Sequence, residues 1–148
     1  MQIKELGHVV LYVRDLARSE RFYKDVLGFH EVTKMGDRAA MFSSGRTHHE
    51  LLLIAVGEDA TPIPEGRRVG MYHFGLKVGE TDDELREALK TLHENEVEVV
   101  GASDHTVTHS LYIKDPDGNE LELYIDVQPA VWKEHPEAVA AAVKPLRL

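Results

Sequence analysis

The sequence predicts an α+β fold made of two βαβββ units, and three observations carry that prediction. Two strand signatures, Gly7-His8-Val9-Val10-Leu11-Tyr12-Val13 and Tyr72-His73-Phe74-Gly75-Leu76-Lys77-Val78, put a histidine at the same point of each half. Each signature is followed by an amphipathic helical stretch and then by three short strand-like runs. The last run alternates, with Leu121, Leu123 and Ile125 on one face and Glu120, Glu122, Tyr124 and Asp126 on the other. The two units are expected to form one module over residues 1–127, helices covering one face of each curved mixed sheet while the other faces close around a metal site.

The elements follow in order. Residues 5–13 alternate and are rich enough in β-branched side chains to read as a strand. Asp15 is an N-cap for a helix running to about Leu27, with Gly28 as its stop. Short strands at 29–35 and 38–43 precede a long apolar one at 47–56, which completes the first repeat, about 5–56. Residues 57–69 are polar, carry Pro62, Pro64 and Gly66, and read as a linker. In the second repeat, about 70–126, strand 71–78 leads to Thr81, whose spacing to Glu84 is a capping box opening a helix to about Asn95. Strands follow at 97–100, 108–114 and 119–126, with the turn Asp115-Pro116-Asp117-Gly118 between the last two. Residues 128–148 form a tail in which 138–143 is expected to make a turn or two of helix. It is expected to pack on the domain or on a neighbouring subunit, with Trp132 as its anchor.

Bulk composition narrows the function classes. The 148-residue chain is 43% hydrophobic and 29% charged, with 26 acidic residues against 17 basic ones and a formal net charge of −9. That balance disfavours nucleic acid and anionic membrane, both of which attract basic surfaces. No apolar run reaches the length of a membrane span. Residues 1–6 lack the apolar stretch of a secretory signal, so the cytoplasm is the expected location. There is no cysteine, which leaves imidazole and carboxylate as the ligands for any metal.

His8, His73 and Glu122 stand out as that ligand set. Strand alternation puts His8 with Val10 and Tyr12, and His73 with Gly75 and Lys77, on single faces of their strands. Two imidazoles and a carboxylate leave coordination positions open for substrate and dioxygen, an arrangement suited to Fe(II) and nearly as well to Mn(II). Gly118 precedes Glu122 by the same spacing as Gly45 precedes His49. A twofold relation between the repeats would therefore set His49 where Glu122 sits, as a fourth ligand or as an acid–base group just outside the metal sphere. Adjacent His48 points to the other face, unless a bulge reverses the pair.

These residues resemble the vicinal oxygen chelate superfamily, which includes glyoxalase I, the fosfomycin and bleomycin resistance proteins and the type I extradiol catechol dioxygenases. The likeness runs over residues 5–126 and rests on Gly7-His8-Val9, Tyr72-His73-Phe74-Gly75 and Asp115-Pro116-Asp117-Gly118-Asn119-Glu120-Leu121-Glu122. Within it, His49-Glu50-Leu51-Leu52-Leu53 and the segment from Asp104-His105 through Tyr112 to the terminal glutamate resemble the extradiol enzymes. The resemblance implies that His105 and Tyr112 bind the catecholate oxygens, with His109 the substitute for His105, and that His49 serves as the acid–base group. The large dioxygenases carry four βαβββ units where this chain has two. Single-module members are usually oligomers, so a homo-oligomer is expected, its pocket covered by the tail or a second subunit.

By that resemblance the protein is expected to be an extradiol dioxygenase, using Fe(II), or alternatively Mn(II), to open the ring of a catechol with O2. The alternative within the superfamily is a glyoxalase-like isomerase or metal-dependent lyase, with His49 as a fourth ligand to zinc or nickel. A metal-free small-molecule binder of the resistance type ranks last, because the ligand set is complete. His30, His93 and His135 read as solvent-facing. Asp82-Asp83-Glu84 suits the positive end of a helix dipole. Lys77 either touches an anionic substrate group or sits at the sheet margin.

Overall fold

Alternating burial along the strands assigns a core face and a more open face to each sheet. The computed structural model describes residues 1–148 and divides into two compact units, Met1–Pro64 and Glu65–Leu148, the division falling within the linker segment. Both units have the predicted βαβββ order. The first runs β1 (Val9–Val13), α1 (Leu16–Glu20, continuing as a π-helical stretch over Arg21–Val26), β2 (His30–Lys34), β3 (Ala39–Ser43) and β4 (Leu51–Ala55). Its sheet is ordered β1-β4-β3-β2, with β1 parallel to β4 and the other pairs antiparallel. Leu11, Val13, Ala40, Phe42, Leu51 and Leu53 are buried, on the side where α1 packs against β3 and β4.

Local chemistry explains where this unit departs from expectation. Asp15 caps α1, accepting from Arg18 N at 2.9 Å. The helix does not stay α-helical to Leu27. Leu27 N reaches back to Phe22 O, and Phe29 N to Tyr23 O, both at 3.0 Å. The wider turn brings consecutive aromatics toward one side, and Phe22 and Tyr23 are both buried, edge to face at 5.1 Å between ring centres. The strands predicted at 5–13 and 47–56 are shorter. Arg46 donates to the carbonyls of Leu6 and Gly7, and Glu50 accepts from both Ser44 N and Ser44 Oγ. These side-chain bonds engage the backbone of Leu6, Gly7 and Ser44, outside the strand ladders.

The second unit runs β5 (His73–Gly79), α2 (Asp82–Glu94), β6 (Val99–Asp104), β7 (Thr108–Lys114) and β8 (Glu120–Asp126), then α3 (Val131–Glu134), a 3-10 turn at Pro136–Ala140 and β9 (Lys144–Pro145). Sheet order is β5-β8-β7-β6-β9, with β5 parallel to β8. The first four strands therefore repeat the topology of the other unit. Thr81 and Glu84 form the reciprocal capping box at the start of α2. On β8, Leu121, Leu123 and Ile125 are buried and the residues between them are not, as the alternation predicts. β6 lies later than the expected 97–100, because Val97 N is still bonded to Leu92 O at the helix end while Asp104 pairs with His109. The tail's helical turns fall at 131–140 rather than 138–143, and its end adds an edge strand, Ser103 pairing with Pro145 and Asp104 with Lys144. No helix is long and apolar enough to cross a membrane.

Candidate metal centre

Strand register brings the second unit's polar residues together on the face away from α2. The parallel pairing of β5 and β8 sets His73 opposite Glu120 and Gly75 opposite Glu122. The antiparallel pairing of β7 and β8 sets Tyr112 opposite Glu122 and Ser110 opposite Tyr124. That register is fixed by the Asp115-Pro116-Asp117-Gly118-Asn119 turn. The Asp115 carboxylate accepts from Asp117 N, Asn119 N and Asn119 Nδ2 at 2.8–2.9 Å, and Gly118 takes a φ of 90°, a conformation open to glycine.

The Glu122 carboxylate is divided between two sets of neighbours. Its Oε2 lies 3.3 Å from His73 Nε2. Its Oε1 accepts from Ser110 Oγ at 2.7 Å and from Tyr112 OH at 3.2 Å. Tyr112 OH is also 2.8 Å from His105 Nε2, so a hydrogen-bonded chain runs His105–Tyr112–Glu122. Burial, then the Glu122 charge and its hydrogen bond, push the Tyr112 phenol up to about 12, and it holds its proton across the neutral range. Gly75 leaves room here, since a Cβ at that position would stand 3.2 Å from Tyr124 Cε1 and 3.7 Å from Glu122 Oε2.

His109 is a different kind of residue. Paired with Ile125, it faces α2, where Nδ1 is 2.6 Å from Asp82 Oδ1 and Nε2 is 3.8 Å from Asp104 Oδ1. Of the two histidines left open by the sequence, His105 joins the polar face and His109 ties β7 to α2. Lys77 is engaged by Asp126 at 2.9 Å and Glu80 at 3.1 Å, the sheet-margin reading. His30, His93 and His135 are exposed.

In the first unit, the exposed His8 stacks near His49, with ring centres 4.6 Å apart. His48 Nδ1 is 2.6 Å from His49 Nδ1. Burial, followed by the proximity of His48 and His8, lowers the His49 pKa from 6.5. The expectation that His49 occupies the counterpart of Glu122 fails on register. Glu122 pairs with Gly75, and the matching residue of the first unit, paired with Val10, is Leu52. Gly118 stands just before β8, whereas Gly45 and His49 both belong to the polar loop before β4, so equal spacing does not mean equal position.

Neither unit alone assembles three histidine or carboxylate ligands; what the second unit assembles is a pair. Two donors about 2.1 Å from one ion stand about 3.0 Å apart at a right angle and about 3.4 Å apart at the tetrahedral angle. The 3.3 Å between His73 Nε2 and Glu122 Oε2 fits that range. The far nitrogen, His73 Nδ1, is buried with no hydrogen-bond partner, and Glu120 Oε1 lies 3.7 Å from it. A carboxylate behind a ligand histidine is the usual outer partner that orients the ring. The pair therefore fits a divalent ion. Sequence reasoning left Glu120 and Ser110 without roles. The signal for Ser110 was its place two residues from Tyr112 on an alternating strand.

Comparison with known proteins adds a family. Residues 5–123 match the model of the Glyoxalase/Bleomycin resistance protein/Dioxygenase superfamily. Catechol-2,3-dioxygenase of Bacillus subtilis (strain 168) is 34% identical over 132 residues, which cover 89% of this chain and 45% of that protein. The chain thus spans less than half the length of that relative. Metallothiol transferase FosB of Staphylococcus epidermidis is 30% identical over 125 residues, covering 82% of this chain and 84% of the transferase. Among solved structures, lactoylglutathione lyase from Agrobacterium tumefaciens superposes with a TM-score of 0.64 at 28% identity, covering 84% of this chain and 96% of the other.

Proposed function

The chain belongs to the Glyoxalase/Bleomycin resistance protein/Dioxygenase superfamily, and from that premise we propose that it opens the ring of a catechol beside its two hydroxyls, with dioxygen, at a divalent metal held by His73, Glu122 and His8. His8 is the third ligand on the strength of the signature it shares with His73. Bound there, Fe(II), or Mn(II) in its place, supplies Lewis acidity toward the diol oxygens and an electron-transfer contact for dioxygen.

The observation that carries this reading is the His105–Tyr112–Glu122 chain. A phenol that keeps its proton has one donor, which on substrate binding turns from Glu122 Oε1 to an anionic substrate oxygen. His105, at the outer end of the chain, offers a second polar contact on the same side. Together the two groups orient a catecholate whose charge develops as its proton leaves. His49, whose pKa is lowered by burial and by the neighbouring His48 and His8, is the proposed acceptor of that proton and its later donor.

Anaerobic loading with Fe(II) and separately with Mn(II), followed by catechol and then oxygen, tests the reading. Oxygen uptake with a yellow ring-fission product is expected, and a metal-loaded protein that consumes no oxygen with any simple catechol overturns it. The likeness to metallothiol transferase FosB, 30% identical over 125 residues, supports a second reading. Metal-dependent addition of a thiol to an electrophile, unaffected by removing oxygen, is the outcome that would establish the alternative.

A further inference from the structure

We infer that Ser110 is a positioning residue that fixes the Glu122 carboxylate, so that one oxygen is held by the sheet and the other is left for the metal. The inference rests on the metal reading above and goes beyond it, because it assigns a role to a side chain that touches neither metal nor substrate.

Three observations support it. Ser110 is 0% exposed, so its hydroxyl needs a partner inside the protein. It finds that partner on Glu122 Oε1 at 2.7 Å, a shorter bond than the one Tyr112 makes to the same atom. Glu122 Oε2, free of Ser110, is the oxygen that faces His73 Nε2. A hydroxyl donating to a carboxylate makes a short, charge-assisted bond. Two such donors on Oε1 hold the plane of the carboxylate and oppose its rotation away from His73.

The duplicated architecture separates this role from ordinary packing. In the first unit the position matching Ser110 is Ala39, which pairs with Ile54 as Ser110 pairs with Tyr124. Ala39 is also buried. A small apolar residue is therefore sufficient for the sheet at this point, and the hydroxyl serves the carboxylate rather than the fold.

The test compares the full-length wild type with Ser110→Ala and Ser110→Cys, each stripped with chelator and titrated with Mn(II) by the electron paramagnetic resonance of free and bound ion, and with Fe(II) by chelator competition. Ser110→Ala is expected to weaken metal binding by about 10–100-fold, the usual cost of an outer-shell partner. Its bound Mn(II) spectrum should also broaden as the carboxylate loses its fixed orientation. Ser110→Cys, close in shape and a weak donor, should fall between the two, and it keeps the comparison open if the alanine variant does not fold. Wild-type affinity and line shape in a folded Ser110→Ala or Ser110→Cys protein would overturn the role of Ser110 alone. A wild type that takes up neither ion would overturn this inference together with the metal reading.

Discussion

Corresponding positions of the two units carry opposite chemistry. On the face away from the helix, the first unit sets Val10 and Met41 on either side of Leu52, and the second sets Gly75 and Tyr112 on either side of Glu122. Ala39 corresponds to Ser110 and Tyr12 to Lys77 by the same registers. On the helix side the units agree: Leu51 and Leu53 in one, Leu121 and Leu123 in the other, are all nearly or wholly inaccessible. Each such side chain contributes about 1.5–3 kcal/mol of burial. The lesson is a division of labour within one sheet. The helix side holds the fold and has to stay apolar in both units. The other side is free to diverge, and the second unit sets Glu122, Tyr112 and Ser110 where the first sets Leu52, Met41 and Ala39.

Converting the second unit toward the first breaks that difference in steps. Glu122→Leu, which installs the counterpart Leu52, should have the largest effect. Fe(II) and Mn(II) affinity should fall by more than the about 100-fold that an outer-shell loss costs, with turnover lost and the fold retained. Metal analysis of the reconstituted variant is the check, and stoichiometric metal would remove Glu122 from the site. Gly75→Val, which installs the counterpart Val10, should act through crowding. The new Cβ meets Tyr124 at 3.2 Å and lies 3.7 Å from Glu122 Oε2, so metal affinity should drop by about 10-fold, an overpacking cost of ~1.4 kcal/mol. An unchanged dissociation constant would mean that Tyr124 moves aside without disturbing the carboxylate.

A smaller effect is expected from the histidine that faces the other way. His109→Ala should leave metal affinity unchanged while removing the bond to Asp82 at the start of α2. Asp82 is partly exposed, which reduces the loss to ~1 kcal/mol, or about 2–4 °C in melting temperature. His105→Ala should do the reverse, keeping the melting temperature and slowing turnover. If His109→Ala instead lost metal at unchanged stability, the two faces would have been assigned the wrong way round.

Much of this was legible in the sequence, for reasons that can be named. The alternation of Leu121, Leu123 and Ile125 with Glu120, Glu122 and Tyr124 declared the faces of β8, because a period of two leaves no other reading. Thr81 with Glu84 and the Asp115–Asn119 turn were legible because their side chains close bonds with nearby backbone. What stayed hidden depends on pairing between distant segments. His49 looked equivalent to Glu122 by its distance from a glycine, but only the ladder Val10–Leu52 against Gly75–Glu122 shows which residues correspond. The resemblance implied His105 with His109 as its substitute, and the pairing of His109 with Ile125 turns His109 to the helix side. Ser110 shares a strand face with Tyr112 by alternation, but its bond to Glu122 is set by the pairing of β7 with β8.

The mildest way to sharpen the comparison is to titrate the phenol that replaces Met41. In metal-free protein the Tyr112 phenol is pushed up to about 12 from 10.0, chiefly by burial and then by the Glu122 charge and hydrogen bond. The unfolded chain releases this proton near 10.0, whereas the folded protein keeps it until about 12. Over that window the folded state binds more protons than the unfolded one, so stability falls as pH rises through it, and neither end of the range adds a further slope. Below pH 10 both states are protonated and the residue contributes no pH dependence. Tyr112→Phe should therefore flatten the alkaline loss of stability between the two values. The difference in ultraviolet absorbance between wild type and variant isolates the same phenolate. If that component titrates near 10.0, the hydroxyl is neither buried nor held by Glu122, and the hydrogen-bond chain that distinguishes the second unit from the first does not form in solution.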